Sequence, residues 1–138
     1  MKLATFTHDG STRIGAVVDD GILDLADDDL PSDMLELLQR GDGALDTVRA
    51  LIAQGGNVIS LEDVLLHQPV LRPGKILAIG LNYADHIAET GGDAPKVQLW
   101  FNKQSTASNG PFDKVAHPVA SNMLDYEGEL AVVIGKRC

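Results

Sequence analysis

Apolar and polar residues alternate with period two where the chain opens. "KLATFTH" and "TRIGAVV" read as short strands joined by the turn-forming "DGS", and "DDG" leads into a third, "ILDL". After "PSD" the period lengthens. Met34, Leu35, Leu37 and Leu38 recur at helical spacing, with Asp33 placed as N-cap and Gly41 at the end. Leu45, Val48, Leu51 and Ile52 put one apolar face on a second helix over "ALDTVRALIAQGG". "SLEDVLL" predicts a short helical turn, in which Ser60 and Asp63 have capping-box spacing.

"HQPVLRPGK", with two prolines and a glycine, reads as a linker. Beyond it "KILAIGLNY" is a buried strand broken at Gly80, and "YADHIAET" is a short helix ending at Gly91. "KVQLWFNK" is a strand, "SNGPFDK" a turn, and "LDYEGELAVVIGK" a closing strand. The pattern predicts an α+β chain in two parts. Residues 1–70 form a small N-terminal α/β domain (a β-meander plus helices), and residues 71–138 form a second domain.

Composition narrows the function. The net charge of −9 gives no basic face for phosphates and argues against nucleic acid as a partner. The acids are uneven: residues 1–50 hold eleven Asp/Glu against four Lys/Arg, while residues 51–138 hold nine against seven. Runs such as "DDGILDLADDDLPSD" therefore read as solvated turns and helix starts. No apolar run is long enough for a membrane span, and the opening residues lack a signal-peptide core, which predicts a cytoplasmic protein without membrane partners. The single cysteine, Cys138, cannot form an internal disulfide.

Three clusters carry candidate chemistry. On the closing strand, alternation puts Glu127 and Glu129 on one face, roughly 6–7 Å apart. Buried together, two carboxylates repel unless a hard cation such as Mg²⁺ resolves the conflict; facing solvent, they are ordinary surface. His86 and Glu89 stand at i and i+3 on the short helix, where a carboxylate can orient an imidazole for general-base work or form a plain surface ion pair. Flanking glycines (Gly80, Gly91, Gly92) would let that segment move as a lid. Lys103 at a strand end either meets an acidic substrate or is simply exposed.

In this order the clusters resemble the fumarylacetoacetate hydrolase superfamily, in particular bacterial members with an added N-terminal domain. The resemblance rests on Gly80-x-Asn82-Tyr83 followed by His86-x-x-Glu89, then Phe101-x-Lys103, then Asp125-Tyr126-Glu127-x-Glu129-Leu130 running into Val133-Ile134-Gly135-Lys136. It is close over residues 75–138 and loose over 1–70. It implies that residues 71–138 begin a mixed β-roll catalytic domain. It implies further that Glu127 and Glu129 are two of three carboxylate ligands of Mg²⁺ or Mn²⁺ (Ca²⁺ in some members), that His86 and Glu89 are the catalytic pair on a lid, and that Lys103 lines the substrate site.

The implied activity is metal-dependent hydrolysis of small 2-oxo acids, by carbon–carbon cleavage of acylpyruvate or fumarylpyruvate type. Decarboxylation or isomerisation within the same superfamily, or a non-catalytic dimerisation or binding module, are the alternatives. A homodimer is implied for the full-length enzyme. The family's third metal ligand, an Asp, lies a few tens of residues past the Glu-x-Glu strand, so a chain ending at Cys138 reads as the N-terminal piece of a longer enzyme.

Overall fold

A computed structural model describes residues 1–26, 29–126 and 128–135. The fold is α+β and divides into two compact units, one of residues 1–71 with 109–138 and one of residues 72–108. In the first unit β1 (Leu3–His8), β2 (Ser11–Val18) and β3 (Gly21–Asp24) form the expected meander, followed by α1 (Met34–Arg40) and α2 (Asp42–Gln54). Two further strands, β4 (Val58–Ser60) and β5 (Leu65–Leu66), complete an antiparallel sheet of order β4-β3-β2-β1-β5.

Each helix end has a local cause. The Asp33 carboxylate accepts a hydrogen bond from the Glu36 N–H at 3.1 Å, satisfying one of the orphan donors of α1. The chain then leaves α1 at Gly41, whose N–H donates to the Leu38 carbonyl at 3.2 Å. The two helices cover one face of the sheet. Met34, Leu37 and Val48 pack there against Ile14, Ala16, Leu23 and Leu25, all buried, with Leu45, Leu51 and Ile52 at the margin. This is the apolar stripe expected for the helices, now facing its partner.

The other face closes by a different route. Strands β4 and β5 lie on opposite edges, separated by four inter-strand gaps, or about 19 Å in a flat sheet. Residues 61–64 join them, and five Cα steps reach at most about 17 Å even when fully extended. Three of those residues form a 3-10 turn, Leu61–Asp63, so the real reach is shorter. The sheet must therefore curl until its edges approach. Val64 packs inside the curl with Leu66 and Ala4 against Phe6, Ile22 and Ile59. Phe6 and Ile22 have no exposure at all.

Gly15 permits this packing. A Cβ there would overlap the Ile22 side chain and stand 2.9 Å from both Phe6 Cε1 and the Leu23 carbonyl oxygen. Beside it Arg13 lies over the Phe6 ring, 5.2 Å from the centroid, and donates from Nε to the Asp24 carboxylate at 2.8 Å. Arg13 Nη1 also reaches the His8 and Ser11 carbonyls, each at 3.3 Å. Burial alone would raise the Asp24 carboxyl. The hydrogen bonds from Arg13 and the Ala26 N–H, with the guanidinium charge, outweigh burial and hold it below the ordinary carboxylate range.

Three expectations change here. "SLEDVLL" is not one helical turn: Ser60 caps only the short 3-10 segment, accepting from the Glu62 N–H at 3.2 Å, and Leu65–Leu66 then pairs with β1 as a strand. The linker "HQPVLRPGK" is partly stitched to the sheet. The His67 N–H donates to the Thr5 carbonyl at 2.9 Å, the buried Thr5 hydroxyl donates to the Pro69 carbonyl at 2.6 Å, and His67 Nε2 meets Thr7 Oγ1 at 2.7 Å. Finally, the expected closing strand over 125–135 is absent among the described residues, which carry no strand or helix from 122 to 135. A strand needs hydrogen-bonding neighbours. Val132, Val133 and Ile134 pair with none of the described strands and stay exposed.

Two outcomes follow for stability. Gly15→Val should destabilise the fold by about 1–3 kcal/mol or more through overpacking, read as a lower urea midpoint. Because the Asp24 carboxyl is held low in the folded state, its contribution is complete above the unfolded value near pH 4 and is lost as pH falls below it. Asp24→Asn should flatten that acid limb of the stability curve; an unchanged limb would show that Asp24 does not contribute to it.

Candidate active site

The second unit is built on an antiparallel ribbon of β6 (Ile76–Gly80) and β7 (Leu99–Lys103). Its register pairs Ile76 with Lys103, Ala78 with Phe101, and Gly80 with Leu99 on one face, and Leu77 with Asn102 and Ile79 with Trp100 on the other. Between the strands lies α3 (Ala84–Thr90). The chain turns from β6 into this helix at Leu81, a non-glycine residue at φ +52°, in the left-handed region. The helix stops at Gly91, at φ +67°, whose N–H donates to the Ala88 carbonyl at 3.1 Å.

On α3 the two expected catalytic residues come together. His86 Nδ1 stands 3.8 Å from the Glu89 carboxylate, one turn apart on the same side of the helix. This is ion-pair range, longer than a hydrogen bond. The His86 side chain is 47% exposed and the Glu89 side chain 78%, so both are open to solvent and to a ligand. The placement follows from helical spacing: in a helix of seven residues, about two turns, the third residue, His86, and the sixth, Glu89, lie about one turn apart.

Lys103 ends β7, and its ammonium lies 5.9 Å from the Phe101 ring centroid. The sequence motif Phe101-x-Lys103 contains both residues, but a role was expected only for Lys103. The available signal was simple: residues two apart on a strand share a face, which puts an aromatic ring beside the lysine. Gln104 lies just past the strand and accepts from the Ala107 N–H at 2.9 Å, opening a 3-10 turn over Ser105–Ala107.

The expected metal ligands have a different status. Glu127, like Cys138, lies outside the described residues. Glu129 is exposed within the irregular stretch 128–135, in the first unit. Two carboxylates form an oxygen-only donor pair, the chemistry suited to a hard divalent cation rather than to zinc or copper. Among the described residues no group of three or more His, Cys, Asp or Glu is gathered closely enough to hold a metal ion. No helix among them is long and apolar enough to cross a membrane.

Comparison with known proteins bears on this arrangement. The family described as "Fumarylacetoacetate (FAA) hydrolase C-terminal" matches residues 75–138, which include β6, α3, β7 and the Glu-x-Glu stretch. The mitochondrial oxaloacetate tautomerase fahd2 of Xenopus laevis is 38% identical over 143 residues, covering 99% of this chain and 45% of that protein. The mitochondrial oxaloacetate tautomerase Fahd2a of Rattus norvegicus is 41% identical over 123 residues, covering 89% of this chain and 38% of that one. Among solved structures, maleylpyruvate hydrolase from Sphingobium sp. SYK-6, in complex with manganese(II) and pyruvate, matches with a TM-score of 0.63 at 31% identity, covering 86% of this chain and 43% of that one. The chain thus spans less than half the length of these relatives. From residue 75 onward the chain carries the family's own sequence pattern, and that part, residues 75–138, belongs to the fumarylacetoacetate hydrolase superfamily.

Proposed function

We propose that this chain supplies the acid–base and substrate-binding groups of a divalent-metal-dependent enzyme acting on small 2-oxo acids, with keto–enol proton transfer as its central step. The observation that carries this reading is the His86–Glu89 pair on α3. Glu89 beside Nδ1 favours the tautomer that keeps the proton there and leaves Nε2 free to take or return one at the carbon next to the 2-oxo group. Lys103 offers a fixed positive charge for a substrate carboxylate. Glu127 and Glu129 are the residues that would hold the cation, which supplies Lewis-acid stabilisation of the negative charge formed when that carbon loses its proton.

Tautomerisation of an oxaloacetate-type acid moves one proton between that carbon and the 2-oxo oxygen, with no bond between heavy atoms broken and no water consumed, and the relatives named oxaloacetate tautomerases support it. Hydrolysis of an acylpyruvate-type acid is the second reading, favoured by the likeness to maleylpyruvate hydrolase. There His86 would instead take a proton from water attacking the distal carbonyl. The two readings share residues and differ in whether water is consumed. On either, residues 71–138 are the beginning of the catalytic domain and residues 1–70 an accessory domain.

The deciding experiment offers oxaloacetate, acylpyruvates and fumarylpyruvate with Mg²⁺ or Mn²⁺ and separates enol decay from bond cleavage spectroscopically. His86→Ala should lower the turned-over reaction by about 10²–10⁴-fold, and Glu89→Gln should lower it less. Turnover untouched by His86→Ala would sink the reading. Independently, Glu127→Ala and Glu129→Ala should each weaken Mn²⁺ uptake measured by calorimetry; unchanged uptake would remove both from the metal site.

A further inference from the structure

We propose that Phe101 is a positioning residue for Lys103, holding its ammonium at the open face of the β6–β7 ribbon where it meets the carboxylate of a 2-oxo acid. The inference rests on the assignment of Lys103 to substrate binding made above. Alternation along β7 puts both side chains on one face, and the ammonium stands 5.9 Å from the ring centroid, within cation–π range. Among the described residues Lys103 has no carboxylate within salt-bridge distance. The ring thus orients the charge without neutralising it, and shields one side of it from water.

The opposite strand keeps the space clear. Phe101 faces Ala78 and its neighbour Leu99 faces Gly80, so directly opposite the ring β6 presents only a methyl group, with Ile76 diagonal to it and across from Lys103. Even a Cβ added at Gly80 would reach Phe101 Cε1 only at 3.7 Å, an ordinary contact. The result is an exposed face on which an aromatic ring and one cation stand side by side. A free lysine on a strand end spreads over many rotamers, and binding an anion must collapse them; an ammonium already seated on a ring has less to lose.

Calorimetric titration of oxalate in the presence of Mg²⁺ tests this on the whole chain. Phe101→Leu should weaken oxalate binding by about two- to fivefold, while Phe101→Tyr, which keeps the ring, should match the wild type. In a Lys103→Met background, Phe101→Leu should have no additional effect. Without ligand, the Lys103 ε-methylene protons should show an upfield ring-current shift in the wild type and the tyrosine variant, lost in the leucine variant. Equal losses for leucine and tyrosine, or a leucine effect that persists at full size beside Lys103→Met, overturn the proposal. Oxalate binding indifferent to Lys103→Met overturns the underlying assignment of Lys103 instead. A wild-type chain that does not bind oxalate overturns both.

Discussion

The first unit depends on one close approach, the Phe6 ring passing over the bare Cα of Gly15. Antiparallel sheets twist by default, but a curl tight enough for four residues to bridge its two edges needs the concave face to be filled without a side chain in the way. Gly15 provides that space, Phe6, Ile22 and Ile59 fill it, and Val64 closes it. The Arg13–Asp24 pair belongs to the same arrangement. Only because the ring is drawn inward does the guanidinium find an aromatic face on one side and a half-sheltered carboxylate on the other. The pair sits mostly out of water, so it is fixed in place as well as attractive.

The helices answer to the opposite face and to simpler rules. Their apolar stripes were readable residue by residue because a helix buries a stripe of fixed period, and Leu37 and Val48 have no exposure where that period puts them. The hairpin turns were equally legible, since Asp9 and Gly10 both take the positive φ of a two-residue connection. What periodicity could not reveal was β4 and β5. A strand of two or three residues is too short to show alternation, and its identity depends on partners far away in the chain. Ser60 carried a genuine capping signal, but its hydroxyl accepts from the Glu62 N–H of a single 3-10 turn rather than opening a helix with Asp63.

The same logic separates the parts of the site. The His86–Glu89 pair is a local property of seven residues, so sequence spacing was sufficient to place it. The Glu-x-Glu stretch carries a motif readable from residue types, but its conformation is not local. Its apolar positions alternate as a strand requires, yet Val132, Val133 and Ile134 stay exposed, so the alternation marks no buried face. The family motif was legible there where backbone conformation was not.

The ribbon of β6 and β7 has only two strands, close to the smallest sheet that can hold its own alignment. Every paired position along it changes sides if one strand slides by a single residue. Such a slide would carry the lysine and its aromatic neighbour to the reverse surface and bring Trp100 and Asn102 forward in their stead. The length of the loop between α3 and β7 therefore fixes which side of the ribbon the lysine occupies, although the loop lies on neither strand.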